Sequence, residues 1–205
     1  MRKTLFCSMI ALSALLTAGC SEQKVPAGSC HIVGTISNQY NDKRIFLVPL
    51  FGPKTAEYVD SIEVRNGRFE FTKDTMMMAT ILMDYHYRMG LQPLLVVVEP
   101  GEVKVSIDSI SHAVGTPQND SLEKWKQATE QHNRALAALR RTGQKAQADS
   151  LHLVYKRYTR RLASNLESGL LRDFLCELYP LTYKKQLPDG RIVTINADTN
   201  EEVEE

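Results

Sequence analysis

The spacing of apolar residues changes once along the sequence, near residue 116, and this change limits the folds that the chain can adopt. Before it, short runs rich in Val, Ile, Phe and Tyr alternate with turn residues at intervals of roughly 8–12 residues, as in antiparallel β proteins. After it, apolar residues recur three and four positions apart, which is the spacing of one helix face. We therefore expect an α+β protein, with an N-terminal antiparallel β-sandwich over residues 31–115 and a C-terminal helical hairpin within residues 116–181.

Seven strands are predicted in the first part, over residues 31–36, 44–50, 58–64, 68–71, 79–84, 94–98 and 103–107. Asn66-Gly67 is typical of a two-residue hairpin turn, so we expect the third and fourth strands to pair. Glu99-Pro100-Gly101 predicts a turn between the last two strands. The sixth strand is apolar throughout, which indicates burial on both faces of a sheet.

Two long helices and one short helix are predicted after the change in spacing. Asp120 and Glu123 have the spacing of a capping box, which marks a helix start. Thr142-Gly143 ends the first helix, and a short third helix over residues 170–178 stops before Pro180. Residues 182–205 form a C-terminal extension with an edge strand at 192–195 and a solvated acidic tail. The first helix carries the stripe Leu122, Trp125, Thr129, His132, Leu136 and Leu139, and the second carries Leu151, Tyr155, Tyr158, Leu162 and Leu166.

The N-terminus has the parts of a secretory signal. Arg2 and Lys3 precede an apolar stretch at residues 5–16, which is too short to cross a bilayer because a spanning helix needs about 20 residues. Residues 16–20, Leu-Thr-Ala-Gly-Cys, resemble the bacterial lipobox, with plain cleavage nearby as the alternative. We expect residues 1–19 to be removed and Cys20 to be lipidated. Residues 20–30 would then tether the protein to a bacterial envelope membrane, facing the periplasm or the outer membrane.

Charge and length exclude several classes of protein. The chain has 25 Lys and Arg against 24 Asp and Glu, a formal net charge of +1, so it lacks the basic excess typical of nucleic-acid-binding domains. We expect no nucleic-acid partner. A chain of 205 residues suits one core with a helical extension, which excludes a large multidomain enzyme.

No set of residues in the sequence specifies a reaction. Asp60-Ser61 lacks the motif of a nucleophile elbow. The histidines have no pair at the spacing of a metal site, and the methionines around residues 76–89 fit core packing better than copper binding. We expect no catalytic residue, no metal and no cofactor, and we interpret the protein as a non-enzyme. The histidines are His31, His86, His112, His132 and His152.

Two cysteines remain once Cys7 leaves with the signal and Cys20 carries lipid. Cys30 lies at the edge of the first strand and Cys176 on a late helix, in a compartment where disulfides persist. Their wide separation in sequence favours free thiols, and a Cys30–Cys176 disulfide is the alternative. A redox role through this pair is a third and weaker functional hypothesis.

The predicted helical hairpin offers a candidate partner surface. The apolar stripe formed by Leu151, Tyr155, Tyr158 and Leu162 must be covered, either by the sandwich or by a second protein. The same helices are basic, which fits a solvated face first and an acidic partner or anionic headgroups second. The basic residues are Arg140, Arg141, Lys145, Lys156, Arg157, Arg160 and Arg161.

Several stretches within about residues 31–125 resemble a domain of unknown function from envelope lipoproteins of Bacteroidota, which commonly precedes a thioredoxin-like (AhpC/TSA-type) thiol-disulfide oxidoreductase domain. The resemblance implies a β-rich accessory domain followed by a helical linker. The sequence has no Cys-x-x-Cys motif and Trp125 is its only tryptophan, so no catalytic residue is carried over and we expect the accessory region to act alone. The matching stretches are Gly34-Thr35-Ile36, Val59-Asp60-Ser61, Asn66-Gly67-Arg68-Phe69 with Phe71, Val98-Glu99-Pro100-Gly101 with Val103, and Gly115-Thr116-Pro117-Gln118-Asn119-Asp120.

Two functions of different kinds are consistent with these features. The first is a non-enzymatic, membrane-anchored lipoprotein that acts as an accessory module, with a thioredoxin-like protein as a partner in trans. The second is a lipoprotein that binds a sugar, a peptide or a metal on the sandwich for uptake or sensing.

Overall fold

The computed structural model describes residues 28–83 and 91–203. The predicted signal peptide, lipidated Cys20, most of the tether, the segment with His86 and Met89, and the last two residues lie outside the described residues. Within the described part the fold is α+β, with ten strands and three α-helices. The strands are β1 Cys30–Ile36, β2 Arg44–Pro49, β3 Asp60–Glu63, β4 Arg68–Lys73, β5 Met77–Met83, β6 Leu94–Val98, β7 Gly101–Ile107, β8 His112–Val114, β9 Thr182–Gln186 and β10 Ile192–Asn196. The helices are α1 Pro117–Arg141, α2 Lys145–Asn165 and α3 Leu170–Leu178.

The first eight strands form two four-stranded sheets, in the orders β4-β1-β7-β8 and β3-β2-β5-β6. Alternate side chains from both sheets, such as Ile32, Ile81 and Val103, form one hydrophobic core. Every pair is antiparallel except β1 with β7, which is parallel. The expectation of a purely antiparallel arrangement is therefore wrong at this pair. Parallel pairing needs a long connection, and here that connection runs through the whole of the other sheet.

The turn at Asn66-Gly67 is confirmed, but the hairpin predicted around it is wrong. Asn66 has φ of 52° and Gly67 has φ of 66°, and Arg65 and Arg68 exchange backbone hydrogen bonds of 3.0 and 2.9 Å. Beyond that pair the chain changes sheet, since β3 pairs with β2 while β4 pairs with β1. The turn packs closely on the first sheet, because a Cβ atom at Gly67 would lie 2.7 Å from the carbonyl oxygen of Ile36.

Strand β6 is buried on both faces, as its apolar sequence predicts. Leu94, Val96 and Val98 point into the core between the sheets. Leu95 and Val97 point to the opposite face, where they meet the helices in a second apolar cluster that also contains Leu122, Trp125, Leu171 and Leu175. The molecule therefore has a helical layer on the outer face of one sheet.

The two long helices form the expected hairpin. They run in opposite directions, because Thr129 contacts Tyr155 while His132 contacts His152. The C-terminal extension differs from the prediction: β9 and β10 form a two-stranded antiparallel sheet in place of a single edge strand. Strand β8 was also missed because it spans three residues. None of the helices in the described ranges is both long enough and apolar enough to cross a bilayer.

Candidate functional site

Asn119, in the first turn of α1, joins that helix to the edge strand β6. Its side chain is fully buried and donates to the carbonyl oxygen of Val97 at 2.7 Å, while it accepts from the Val97 N–H at 2.9 Å. The same amide donates to the hydroxyl of Thr116 at 2.8 Å. Asn119 thus supplies the donor and acceptor that a further strand would supply to an open sheet edge.

Glu99, which follows β6, caps the N-terminus of α1 from outside the helix. Its carboxylate accepts from the backbone N–H groups of Gln118 and Asn119 at 2.9 and 3.4 Å, and from the side-chain amide of Gln118 at 2.8 Å. These N–H groups have no partner within the helix and lie at the positive end of its dipole. The predicted capping box is therefore wrong, because Asp120 instead accepts from the Gly115 N–H and Glu123 faces β8.

Gln118 extends this junction to α3. Its side-chain oxygen accepts from the Leu171 N–H at 2.9 Å, which satisfies a free donor at the start of α3. The stretches containing Glu99 and residues 115–120 carry much of the family resemblance, and in the structure their polar groups hold the helices on the sheet. These polar groups form hydrogen bonds to one another and to the backbone, so their role is structural.

A cleft of about 570 Å³ lies between α1 and the ends of β6 and β8. Glu123 is 7% exposed and accepts from His112 Nδ1 and Lys126 Nζ, both at 2.8 Å. Burial alone would raise the pKa of Glu123, but the hydrogen bonds from Lys126 and His112 outweigh it and hold that pKa below its ordinary value. Trp125 also lines the cleft, which therefore joins an aromatic wall to a cationic and imidazole edge.

Two histidines that are 20 residues apart in sequence meet across the helical hairpin. His132 Nε2 lies 3.2 Å from His152 Nδ1, and the two rings stack with centroids 5.3 Å apart. Burial lowers the pKa of both imidazoles. Repulsion from His152 and Arg140 lowers the pKa of His132 further, and repulsion from Lys156 and Arg140 does the same for His152. The sequence spacing of metal pairs could not reveal this contact, because it depends on how the helices pack. Within residues 28–83 and 91–203, no group of three or more His, Cys, Asp and Glu side chains could hold a metal ion.

The four residues of the predicted partner surface do not share one exposed face, and the prediction is wrong for Tyr155. Tyr155 is 6% exposed, stacks on His132 with centroids 4.2 Å apart, and shares a 2.6 Å hydrogen bond with Thr129. It is therefore covered from within the chain. Leu162 packs against the second apolar cluster, and Leu151 is half-buried.

The apolar face that α2 exposes contains a different set of residues from the one predicted. Tyr158 is 42% exposed and Val154 is 62% exposed. Together with Leu151 they are spaced i, i+3, i+7, which places all three on one face. We call Leu151, Val154 and Tyr158 the α2 stripe. The sequence pattern missed Val154 because the buried face is built from smaller residues, Ala148, Thr159 and Ala163, alongside Tyr155.

Both described cysteines are free thiols, so the alternative disulfide is not formed. Cys30 belongs to the core between the sheets, where burial raises its pKa. Cys176 is exposed on α3. Asp60 and Ser61 also have structural partners, since Asp60 pairs with Lys73 at 2.7 Å and Ser61 accepts from Arg44 at 2.6 Å.

Residues 30–122 match the model of the protein family described as "Domain of unknown function (DUF4369)". The match runs from the first residue of β1 into the second turn of α1, so it includes both four-stranded sheets and the Glu99–Asn119 junction. No curated protein and no solved structure matches the chain significantly. This match confirms the resemblance of the short stretches to a family of domains of unknown function. Its association with thioredoxin-like domains stays a prediction.

Proposed function

We propose that this protein, in which residues 30–122 form a DUF4369 domain, is a non-enzymatic accessory module of the bacterial cell envelope whose helix α2 binds a protein partner. In this proposal Cys20 carries the lipid anchor, and the two-sheet domain holds the helices away from the membrane. The partner is a protein with an apolar patch and an acidic rim, for which a thioredoxin-like protein acting in trans is our first candidate.

The exposed α2 stripe is the observation that supports this proposal. It places a tyrosine and two aliphatic side chains on one face of a helix, and Arg157 and Arg161 lie alongside. Aromatic and arginine side chains are enriched in protein interfaces. Helix α2 carries five basic residues and one acidic residue, so an acidic rim on the partner would match it.

The fold supports α2 in a way that favours binding. The Glu99 and Asn119 contacts fix α1 on the sheet, and Tyr155 fixes α2 on α1 through its stacking and its bond to Thr129. A helix held in place before binding loses less conformational entropy when it docks. The polar residues of the family motifs are used in this support, which fits a display module better than an enzyme.

Site-specific crosslinking tests the proposal. A photo-crosslinking residue at position 154 or 158, in the full-length protein in its native envelope, should give one discrete adduct with a second protein. The matched control is position 192, because Ile192 is a 67% exposed apolar residue on β10 and does not belong to the α2 stripe. Adducts of equal yield from all three positions would overturn the proposal, as would no adduct from 154 and 158.

A charge variant adds a second measurement. Val154→Asp with Tyr158→Asp should abolish co-purification of the crosslinked partner without lowering the melting temperature, because both side chains are exposed. Ile192→Asp should keep the partner. Retained binding by the double variant would exclude the α2 stripe as the interface.

Ligand binding in the cleft beside Trp125 is a second candidate function. The arrangement of His112, Glu123 and Lys126 places partly exposed donors next to an aromatic wall, which suits a polar ligand such as a sugar or a short peptide. A true ligand should stabilise the protein by about 2.7 kcal/mol at a hundredfold excess over Kd. The variant Lys126→Met should lose that stabilisation, whereas the control Lys124→Met, on the exposed side of α1, should keep it.

A further inference from the structure

A second cavity, of about 720 Å³, lies between the C-terminal half of α2, helix α3 and the loop after β10. Neither proposed function uses this cavity as a binding site, although two of its arginines, Arg157 and Arg161, also flank the α2 stripe. Its lining contains four guanidinium groups and a single carboxylate, a net formal charge of +3. These groups belong to Arg157, Arg160, Arg161, Arg172 and Asp198, and the exposed thiol of Cys176 lies beside them. We call this cavity the arginine pocket.

Asp198 occupies part of the pocket from inside the chain. Its carboxylate pairs with Arg160 and lies 3.7 Å from Arg157 Nε, and its backbone carbonyl accepts from Arg157 at 2.6 Å. The hydrogen bond from Arg160 lowers the pKa of Asp198 below its ordinary value. The loop is held in turn by Asn196, whose side-chain oxygen accepts from the Asp198 N–H at 2.8 Å. The chain thus places an acidic group of its own where an external anion would bind.

Much of the donor capacity of the pocket is left unused. The Arg160 side chain is 8% exposed, yet its Nε has no hydrogen-bond partner among the described residues. A buried guanidinium donor without a partner is costly and rare. Arg161 and Arg172 have no carboxylate within 4.0 Å in the part of the chain that the structure describes. One carboxylate therefore faces four arginines.

The remaining walls are apolar and aromatic. Ala163, Tyr179, Pro180 and Leu181 line the pocket next to the arginines. Burial raises the pKa of Tyr179, so its hydroxyl stays protonated. A ligand that fills this space has a charged end and an apolar body.

We propose that the arginine pocket binds the phosphoryl group of a small organic phosphate ester. Asp198 supplies one negative charge against four arginines, so the remaining net charge of +3 can balance a doubly charged tetrahedral oxyanion, and guanidinium groups match its oxygens with paired N–H donors. The organic body of the ester lies against Tyr179 and Leu181. Asp198 competes with the ligand for Arg160, so removing its charge strengthens binding. The proposal does not depend on the α2 stripe or on the cleft beside Trp125.

Protection of Cys176 from alkylation tests this site directly. The full-length protein is treated with iodoacetamide at constant ionic strength, and modification of each cysteine is measured by peptide mass spectrometry. Phenyl phosphate should slow alkylation of Cys176 in a saturable way, whereas phenol, which lacks the phosphoryl group, should not. Cys30 serves as the internal reference, because it is buried and should react only when the protein unfolds.

Charge variants identify the residues involved. Arg161→Gln with Arg172→Gln should raise the phenyl phosphate concentration needed for half-protection by about tenfold or more, and Asp198→Asn should lower it by about tenfold. Arg141→Gln, which removes one positive charge from the far end of the hairpin, should leave it unchanged. Unaltered melting temperatures of the variants at positions 161, 172 and 141 would show that they are folded, since these side chains are exposed.

Three results would overturn the proposal. The first is no protection of the wild-type protein by phenyl phosphate. The second is equal protection of the wild-type protein and the Arg161→Gln, Arg172→Gln variant. The third is protection by vesicles of phosphatidylcholine with phosphatidylglycerol, but not by phenyl phosphate, which would assign the pocket to a lipid headgroup.

Discussion

The side-chain amide of Asn119 pairs with the backbone of Val97 as a neighbouring strand would, donating to its carbonyl oxygen and accepting from its N–H. Both residues are fully buried, and Val97 belongs to the apolar cluster beneath the helices. A polar bond of this kind in an apolar layer fixes the position of α1 along β6, because a shift of the helix would leave both backbone groups of Val97 without partners.

Replacing Asn119 should therefore destabilise the protein strongly. Asn119→Ala leaves the buried N–H and C=O of Val97 unsatisfied, for which we expect a loss of about 2–4 kcal/mol in the free energy of unfolding. Urea denaturation measures this. Asn133→Ala, at an exposed position of the same helix, is the control and should change stability by less than about 0.5 kcal/mol. Equal effects of the two variants would contradict the role given to Asn119.

Replacing Glu99, which caps α1 from outside the helix, should lower the free energy of unfolding by less than replacing Asn119. Glu99→Gln removes the charge beside the helix N-terminus and replaces the acceptor oxygen that faces the Gln118 side-chain amide with an amide donor. We expect a loss of about 1–2 kcal/mol. Glu102→Gln changes an exposed carboxylate on β7, the next strand along the chain, and should have little effect under the same denaturation conditions.

The histidine pair predicts a loss of stability on mild acidification. The pKa values of His132 and His152 are lowered in the folded protein, so the unfolded chain binds protons first as pH falls below about 6.5. The stability that the two neutral histidines contribute is complete above that pH, and it is lost as the pH falls through their folded-state pKa values. Asp149, which raises the pKa of His152, opposes the effect without reversing it.

Urea denaturation at a series of pH values tests this, with a slope of at most about 1.4 kcal/mol per pH unit for each histidine. His152→Gln should flatten the curve below about pH 6.5. Glu123 and Asp198 have lowered pKa values, so they add a separate loss only below about pH 4.5. An unchanged slope in His152→Gln would exclude the pair as its cause.

The same substitution should affect stability at Tyr155 and partner binding at Tyr158. Tyr155→Asp places a charge in the buried stack with His132 and breaks the bond to Thr129, so we expect a loss of about 3 kcal/mol or more. Tyr158→Asp should cost little stability and should weaken partner binding. Thermal unfolding and crosslinking measured on both variants separate a structural residue from an interface residue.

Thiol reactivity provides a simple check on the cysteines. Cys176 should react with iodoacetamide in the native protein, while Cys30 should react only after denaturation, because it is 2% exposed. The intact mass after reduction should equal the mass before it. A loss of two hydrogens in the unreduced protein would show the disulfide that this structure does not contain.

The sequence alone determined the elements whose signals are local. The apolar run at 94–98 correctly predicted a strand buried on both faces. The stripe from Leu122 to Leu136 predicted α1, and Asn66-Gly67 predicted a turn. Each follows from periodicity or from backbone conformations that few residues tolerate, so a window of several residues contains the information. The α+β character followed from the single change of period near residue 116.

Only the tertiary structure decided which distant residues meet. The strands on either side of Asn66-Gly67 lie in different sheets, and β1 pairs with β7 in parallel. His132 contacts His152, and four arginines line the same cavity as Asp198. Periodicity records that a side chain is buried or exposed, but not what covers it. The small residues Ala148, Thr159 and Ala163 allow a close approach of α2 that rotates Tyr155 inward and leaves Val154 in solvent. The surface available to partners therefore depended on packing between helices, which no local pattern encodes.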